Sequence, residues 1–286
     1  MERLLLRLSS KLESWTNDMA DPVVLNTRGE TTVHPTAIVD EGAELGTGVT
    51  VGPWALVGPG VRVGDGTVVG PRVYIEKDTH IGEDCFLANG AVLGTDPQDL
   101  KFKGESAMLQ IGDRTVIREF ATLNRGTSAS GSTVIGSDCL LMAYSHVAHD
   151  CEIGNHVILS NSVNLAGHVM IEDWVIIGGV TPVHQFVRIG AHSFIGGGSR
   201  IPQDVPPYCR VAGNPPKLYG LNSVGLERRG LSADVRKALK KAYRTLFQSD
   251  VNLSKALDRV EDDAARVPEV RHLIEFIRAS ERGITT

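Results

Sequence analysis

The feature that most constrains this sequence is an aliphatic residue that recurs at every sixth position. From Ile135 to Ile201 the repeat runs through twelve positions without a break. The same period occurs earlier, from Leu45 to Leu93 and again from Ile111 to Leu123. A period of six fits neither an α-helix nor a flat sheet, but it matches a hexapeptide parallel β-helix, in which each hexad forms one short strand and a turn. The sequence therefore predicts an all-β solenoid with three hexads, or 18 residues, in each coil.

A glycine often follows the aliphatic residue. We expect the aliphatic side chain to point inward and stack on its equivalents, and the glycine to turn a corner, because glycine tolerates unusual backbone dihedrals. These glycines are Gly46, Gly52, Gly58, Gly64, Gly82, Gly136, Gly154 and Gly190. Residues 18 positions apart are then expected to lie about 4.7–4.9 Å from each other, the ordinary spacing between strands.

Composition excludes several functional classes. The net charge of -5 over 286 residues lacks the basic footprint of a nucleic-acid-binding protein. No apolar run approaches the roughly 20 residues that a membrane span requires. The four cysteines have no C-x-x-C spacing, so they predict reduced thiols in a cytoplasmic protein rather than a metal site.

Three segments are predicted along the chain. Residues 1–32 form an N-terminal extension with a short surface helix, 33–220 form the hexapeptide-repeat domain, and 221–286 form a small helical domain. Two polar stretches, 94–110 and 124–134, interrupt the repeat and are expected to project as loops.

The helical period begins beyond Asn222. Ser232 is expected to cap one helix, a second is expected around Leu253–Val260, and a third begins near Pro268.

Histidines concentrate in the last third of the repeat, and the 18-residue spacing predicts which of them meet. His149 has Gly167 one coil away and Gln185 two coils away, while Asp150 stacks under His168. A histidine beside a carboxylate and a backbone N–H suits a general base next to an oxyanion donor. The alternative is a solvated surface histidine.

Glycines also align on successive coils. Gly179, Gly197 and Asn161 share one line of the 18-residue spacing, and missing side chains there would open a slot for an extended apolar chain that starts near His149. Phe194 is a candidate to close the far end of the slot. The alternative is that these glycines serve turns alone.

Two polar groups suit a phosphorylated sugar. Gln98, Asp99 and Lys101 in the first loop could contact a sugar hydroxyl and a phosphate, and Arg228 with Arg229 could bind a diphosphate. The alternative for the loop is a solvated surface.

Six motifs together resemble one family, the acyl-carrier-protein-dependent UDP-N-acetylglucosamine O-acyltransferases of lipid A biosynthesis. The motifs are PQDLKF (97–102), HVAHDC (146–151), NLAGHV (164–169), PVHQF (182–186), QDVPPY (203–208) and GLERRG (225–230). The resemblance runs from about His34 to Gly283. It implies a cytoplasmic homotrimer with active sites in clefts between neighbouring solenoids. Hexapeptide-repeat families coil left-handed, so we expect a left-handed helix despite the usual right-handed crossover.

The resemblance also implies roles for individual residues. His149 would take the proton of the glucosamine 3-hydroxyl, which attacks the thioester of a 3-hydroxyacyl chain on the phosphopantetheine of acyl carrier protein. Asp150 would orient His149, and the Gly167 N–H would stabilise the oxyanion, with no bound cofactor and no metal. The substrate would contact Gln98, Asp99, Lys101, His146, His168, His184, Gln185, Asn222, Arg228 and Arg229. Asp99 and Lys101 would reach the neighbour's nucleotide sugar.

The same resemblance assigns the control of acyl-chain length to Gly197, and the glycine line described above adds Gly179 and Phe194 to that expectation. One departure concerns Val224, which stands where familiar members carry a Glu that contacts the nucleotide.

Other functions remain open from the sequence. A UDP 3-amino sugar could accept the acyl group to give an amide, or another sugar could be the acceptor. A zinc enzyme similar to the γ-type carbonic anhydrases and a non-catalytic scaffold are further alternatives. The sequence leaves acyl length and the acyl-carrier-protein surface open, although Arg188, Arg200 and Arg210 have the complementary charge.

Overall fold

The solenoid is a three-sided prism of stacked coils. The computed structural model describes residues 29–286, without the side chains of residues 262–264. The predicted N-terminal surface helix, in the extension 1–32, lies outside the described residues. Three sheets of parallel strands form the sides, and each strand pairs with the strand one coil away. The coil is the left-handed β-helix that the sequence predicts.

Each sheet receives every third strand. The first sheet contains β1 (Thr32–Val33), β4 (Thr50–Val51), β7 (Val68–Val69), β10 (Phe86–Leu87), β13 (Val116–Ile117), β16 (Leu140–Leu141), β19 (Ile158–Leu159), β22 (Ile176–Ile177), β25 (Phe194–Ile195), β26 (Cys209–Ala212) and β27 (Lys217–Leu221). The second contains β2 (Ile38–Val39), β5 (Leu56–Val57), β8 (Tyr74–Ile75), β11 (Val92–Thr95), β14 (Thr122–Asn124), β17 (His146–Val147), β20 (Asn164–Leu165) and β23 (Pro182–Val183). The third contains β3 (Glu44–Leu45), β6 (Arg62–Val63), β9 (Thr79–Ile81), β12 (Met108–Ile111), β15 (Ser132–Ile135), β18 (Glu152–Ile153), β21 (Met170–Ile171) and β24 (Arg188–Ile189).

The strand register confirms the 18-residue spacing. Thr32 pairs with Thr50 and Leu165 with Val183, one coil apart in each case. The two interruptions are shorter than predicted, because their ends extend the flanking strands. Within the first, β11 runs to Thr95 and β12 starts at Met108. Within the second, β15 starts at Ser132, and its strand pairs with β12 in continuous register.

The core is the column of inward aliphatic side chains. Their exposed fraction is at or near zero along the coils, as for Ile75, Leu87, Leu141 and Leu165. Burying this surface is the main stabilising contribution for such a narrow prism. The four cysteines are free and buried in the same interior, and burial raises the pKa of Cys85 to about 11.

The predicted reason for the glycines after the aliphatic positions is wrong. The left-handed backbone falls three residues after the aliphatic residue, and non-glycine residues occupy most of those corners, including Trp54 at φ 56° and Asp150 at φ 58°. The glycines are needed for space instead. A Cβ on Gly58 would lie 1.7 Å from the Glu76 carbonyl oxygen, which belongs to the next coil. Close packing of coils, rather than dihedral freedom, therefore selects glycine there.

Helices follow the last coil, as the sequence predicts. The strands β26 and β27 form an antiparallel hairpin, and the chain continues into α1 (Ser223–Arg228), α2 (Ala233–Phe247), α3 (Leu253–Ala264) and α4 (Pro268–Arg278). Ser232 caps α2 by accepting a hydrogen bond from the Val235 N–H at 3.3 Å, and Pro268 opens α4. Leu239, Leu246, Leu273 and Ile277 contribute to a second, smaller core.

No helix within residues 29–286 combines the length and the apolar character that crossing a membrane would require.

Candidate active site

Most predicted site residues lie on one edge of the prism, where the second sheet passes to the third. We call this the His149 edge. His149 and Asp150 join β17 to β18, while Gly167 and His168 join β20 to β21 one coil further on. Gln185 follows at the next coil. Both loops leave the solenoid here too, because they connect β11 to β12 and β14 to β15. The fold therefore gathers the histidines and the loops on one side.

His149 and Asp150 form a hydrogen-bonded pair. The distance between His149 Nδ1 and Asp150 Oδ2 is 2.8 Å. An ionised carboxylate can only accept, so Nδ1 carries the proton and Nε2 is left as the basic nitrogen. The His149 side chain is 13% exposed, whereas that of Asp150 is fully buried. The side chains of these adjacent residues can meet because Asp150 occupies the left-handed corner, at φ 58°.

The Asp150 carboxylate is held by the second loop. Oδ1 accepts from the Thr127 N–H at 2.8 Å and from the Ser130 hydroxyl, and Oδ2 accepts from the Thr127 hydroxyl at 2.7 Å. Its own N–H donates to Thr133 Oγ1 at 2.9 Å. Burial acts to raise the pKa of Asp150, but the hydrogen bonds from Ser130, Thr127 and His149 outweigh it and hold the pKa well below its usual range. The carboxylate is therefore ionised when it contacts the imidazole.

Gly167 packs directly on the His149 ring. A Cβ at this position would lie 2.6 Å from His149 Cε1 and 2.8 Å from Nε2, so only glycine leaves room for the ring. In several hexads on the edge between the third and first sheets, the N–H at this position donates to an aspartate one coil away, as from Asn155 to Asp173 at 2.7 Å. Gly167 N–H has no such protein acceptor within residues 29–286. It is therefore available to a ligand oxygen beside the basic nitrogen.

The neighbouring histidines differ in exposure. His168 Nε2 lies 3.6 Å from Asp150 Oδ2, and its ring is perpendicular to that of His149 and stacked on Phe186, with centroids 5.2 Å and 4.6 Å apart. His146 Nδ1 lies 2.7 Å from the Thr122 hydroxyl. Burial, and then the charge of His149, lower the pKa of His146. His184 and Gln185 are exposed.

The first loop carries its predicted polar residues at the surface. Gln98 and Lys101 are exposed, and the Lys101 N–H donates to Asp99 Oδ1 at 3.0 Å. Leu100 between them is entirely exposed. The loop thus presents a cation and an amide outward from the His149 edge.

Sequence reasoning missed the residue that ties the two loops together. Arg125 is 1% exposed, yet it lies in a segment that was predicted to project into solvent. Its guanidinium donates to the Gly94 carbonyl at 2.9 Å and pairs with Asp96 and with Asp78. The one available signal was a basic residue immediately after the last strand residues, Leu123 and Asn124.

The glycine column lies on a different edge from His149. Gly179, Gly197 and Asn161 follow strands of the first sheet and lead into the second, and a Cβ on Gly197 would lie 3.2 Å from the Gly179 carbonyl. The predicted alignment is confirmed. The predicted slot beginning near His149 is wrong for a single chain, because the outer face of the second sheet separates the two edges. Phe194, half-buried, faces outward from β25 of the first sheet.

The arginine pair lies near the third edge, between the third and first sheets. Arg229 is half-buried, its guanidinium carbon is 5.2 Å from the centroid of Trp174, and burial lowers its pKa. Asn222 is nearly buried and caps α1, accepting from the Gly225 N–H and donating to the His192 carbonyl at 3.0 Å. Arg228 is exposed at the end of α1, and Val224 is 58% exposed. These residues are therefore not brought to His149 within one chain.

The His149, Asp150 and His168 side chains raise the question of a metal. One ligand atom of each lies within 4.8 Å of the others. Oδ2 of Asp150, however, already accepts from Thr127 and His149, and Oδ1 from Thr127 and Ser130. Hydrogen bonds from the protein therefore already occupy both oxygens of the carboxylate.

The stacked hexads and a His–Asp pair beside an unoccupied N–H define the class, a hexapeptide-repeat acyltransferase. The family model "bacterial transferase hexapeptide (six repeats)" matches residues 60–95 and 132–167, and the model "UDP N-acetylglucosamine O-acyltransferase, domain 2" matches 204–285. A relative from Paracidovorax citrulli named acyl-[acyl-carrier-protein]--UDP-N-acetylglucosamine O-acyltransferase is 56% identical over 88% of this chain and 98% of its own length. The chain belongs to the UDP-N-acetylglucosamine O-acyltransferase family.

Solved structures agree with this assignment. The structure of LpxA from Acinetobacter baumannii, 41% identical, superposes with a TM-score of 0.86 over 89% of this chain and 99% of its own. The UDP-N-acetylglucosamine acyltransferase of Francisella novicida, 34% identical, gives 0.87 over 89% of this chain and 94% of its own. The fold and family that the sequence motifs indicate are confirmed.

Proposed function

We propose that this chain transfers a 3-hydroxyacyl group from acyl carrier protein to the 3-hydroxyl of UDP-N-acetylglucosamine, the first step of lipid A biosynthesis. The observation that carries the proposal is the His149–Asp150 pair packed against Gly167, in a chain whose relatives are named for this reaction. The scaffold alternative gives no reason for a buried carboxylate to orient an imidazole beside a free N–H.

The geometry supports a general-base mechanism. His149 Nε2 takes the proton of the sugar hydroxyl as its oxygen attacks the thioester carbonyl. The Gly167 N–H stabilises the negative oxygen of the tetrahedral intermediate. Its collapse breaks the carbon–sulfur bond, and the proton on His149 passes to the departing thiolate of phosphopantetheine. Asp150 stays ionised and stabilises the imidazolium that forms between these steps. No bound cofactor or metal has a part in this scheme.

The acceptor is an oxygen in this proposal. A 3-amino sugar would use the same base and the same oxyanion donor, so the site geometry alone does not separate the two. The relatives are named O-acyltransferases, which favours the hydroxyl. Mass spectrometry of the product after mild alkaline hydrolysis distinguishes a labile ester from a stable amide.

The remaining contacts belong to the same proposal. His146, His168, His184 and Gln185 line the His149 edge, where the sugar and the pantetheine would lie. Gln98, Asp99 and Lys101 extend from it, and Asn222, Arg228 and Arg229 would hold the uridine diphosphate. Gly179, Gly197 and Phe194 would set the acyl length. These residues are spread over three edges of the prism, which favours sites completed by neighbouring chains.

A homotrimer is the assembly we propose. The edge between the first and second sheets, which we call the apolar edge, exposes large apolar side chains on four of its coils, namely Trp54, Phe120, Tyr144 and Val180. Phe120 stacks on Tyr144 at 5.4 Å between centroids. Exposed apolar surface of this kind marks a contact with another chain. Packing of this edge against a neighbour would bring Gly197 towards another chain's His149.

The test is a transfer assay with UDP-N-acetylglucosamine and 3-hydroxyacyl donors of about ten to sixteen carbons on acyl carrier protein. We expect product from the wild type, and a loss of about 10²–10⁴-fold in kcat for His149→Ala, the usual contribution of a general base. His34→Ala, which changes an exposed histidine of the first coil, is the matched control and should keep full activity. Retained activity in His149→Ala would exclude the base, and no product with any donor would exclude the function.

A further inference from the structure

The second loop, residues 124–134, donates hydrogen bonds to the same Asp150 carboxylate that contacts His149. Oδ2 accepts from His149 Nδ1 at 2.8 Å and from the Thr127 hydroxyl at 2.7 Å. Oδ1 accepts from the Thr127 N–H and from Ser130. A carboxylate has about four lone-pair sites, and here four protein donors fill them. Three of the four donors come from the loop.

We propose that Thr127 is a positioning residue whose hydroxyl shares an oxygen of Asp150 with His149 and thereby sets the basicity of His149. The catalytic consequence rests on the proposed function. A hydrogen bond to a carboxylate disperses its negative charge, so the carboxylate stabilises a neighbouring imidazolium less. The Thr127 hydroxyl thus keeps His149 less basic than an unshared aspartate would make it. If the imidazolium form of His149 is not stabilised too strongly, it gives its proton to the leaving thiolate more easily.

The loop holds Thr127 rigidly enough for this role. The Gly131 N–H donates to the Thr127 carbonyl at 2.8 Å, closing a tight turn, and the Gly126 N–H donates to the Met108 carbonyl at 3.1 Å. A Cβ on Gly126 would lie 2.6 Å from the Ser132 backbone, so the chain passes there without spare room. The buried Arg125, two residues before Thr127, donates to the Gly94 carbonyl of β11 at 2.9 Å and pairs with Asp96, which fixes the start of the loop. Thr127 is itself buried, at 8% exposure.

Other ionisable groups face the pair, and they limit how its titration is interpreted. His168 Nε2 lies 3.6 Å from Asp150 Oδ2, and the charges of His146 and His149 act on each other. Glu105 of the first loop accepts from the Lys103 N–H at 2.7 Å and from the Ser128 hydroxyl at 3.5 Å, so its hydrogen bonds stay within the loops. A substitution confined to the Thr127 hydroxyl leaves all of these in place. Their contributions therefore cancel when variants at position 127 are compared.

The test compares Thr127→Val with Thr127→Ser. Valine keeps the shape and the backbone N–H but removes the hydroxyl, whereas serine keeps the hydroxyl. We expect the pKa of His149, followed by NMR of the imidazole, to rise by roughly half to one unit in Thr127→Val. The acid limb of the pH profile of kcat/KM should move upward by the same amount. Thr127→Ser should return both towards the wild-type values, which a purely structural role for the loop does not predict.

Thr67→Val is the matched control. Thr67 is a fully buried threonine on another edge whose hydroxyl donates to the Gly82 carbonyl at 2.8 Å, so the variant makes the same chemical change away from Asp150. Its His149 titration should equal that of the wild type. Ser130→Ala removes a donor from the exposed part of the loop and should shift the His149 titration in the same direction as Thr127→Val, but by a smaller amount. It replaces Thr127→Val in the test if that variant does not fold.

The two proposals fail separately. The NMR titration requires no turnover, so an inactive wild type would refute the transferase assignment and leave the titration to decide the role of Thr127. A His149 titration that is unchanged, or lowered, in Thr127→Val and in Ser130→Ala would overturn the positioning role even in a fully active enzyme.

Discussion

At the scale of single residues, the site depends on what the left-handed corner does to a side chain. Asp150 and His168 occupy successive corners with φ near +60°. From these corners both side chains reach the same cluster, in which Asp150 contacts His149 and His168. Such conformations are rare for residues other than glycine and are maintained by surrounding contacts. The stacked coils supply those contacts, because the corner of one coil bonds to the coil before it, as the His168 N–H does to the His149 carbonyl at 3.0 Å. The corner thus explains why two adjacent residues can act as a pair.

Replacement of the buried carboxylate gives a prediction about pH. The pKa of Asp150 is depressed in the folded chain below its ordinary value of 3.8. Its ionised form therefore stabilises the fold above about pH 4, and that stabilisation is lost as the pH falls towards the folded pKa. Asp150→Asn should lower the free energy of unfolding by about 1–3 kcal/mol at pH 7, with a smaller difference at pH 3, measured by urea unfolding.

An exposed aspartate provides the comparison for this experiment. Asp40→Asn alters a carboxylate whose one hydrogen bond within residues 29–286 comes from the nearby Gly42 N–H, and it should change unfolding little at either pH. A deficit in Asp150→Asn that stays constant from pH 7 to pH 3 would show that the carboxylate's charge is not the stabilising feature.

Individual residues also show which contacts of the site could be predicted from the sequence. The 18-residue spacing correctly placed His149 against Gly167 and Asp150 beside His168, because parallel pairing fixes the register of every hexad. It could not find Thr127, Ser130 or Arg125. Loop residues have no position in the repeat, so their contacts depend on a three-dimensional path that no periodicity records.

At the scale of strands and corners, the backbone of one coil packs directly against the backbone of the next. Glycine after the inward aliphatic residue permits that contact, as the 1.7 Å clash of a Cβ on Gly58 shows. Sequence alone indicated that glycine was required but not why, since the same residue serves dihedral freedom and close approach equally well. The helices were easier to predict, because the Ser232 cap and Pro268 each have a single local meaning.

The two uses of glycine can be separated by mutation. Gly58→Ala must displace the next coil and should destabilise the chain by at least about 3 kcal/mol, the upper range for overpacking. Gly230→Ala, beyond α1, places a Cβ where nothing lies within 4 Å, at φ +77°, and should cost only about 1–2 kcal/mol for the left-handed backbone. Thermal and denaturant unfolding measure both. Equal losses would contradict the distinction.

At the scale of the whole molecule, a site composed of several chains can be tested by complementation. His149→Ala and Lys101→Ala should each be inactive or nearly so. If Lys101 serves the neighbour's substrate, every cyclic trimer that contains both variants has one junction at which an intact His149 meets an intact Lys101, so roughly one site in three is intact. We expect about a third of wild-type activity, measured on doubly tagged and doubly purified trimers.

Separately purified and unexchanged mixtures of the same variants are the control and should stay inactive. Mixed trimers with no gain in activity would place Lys101 and His149 in the same chain's site, or would exclude Lys101 from the site.

The buried Arg125 has a consequence for how such a protein can change over evolutionary time. A loop that leaves and re-enters the solenoid at one edge disturbs no register, so each loop alone would be freely exchangeable between relatives. Arg125 belongs to one loop but is neutralised by Asp96 of the other. A transplanted second loop would therefore bring an unpaired cation into the interior of its new host, unless the first loop accompanies it. We therefore expect the two loops to be exchangeable only together, which would couple any change in the first loop to the loop that holds Asp150.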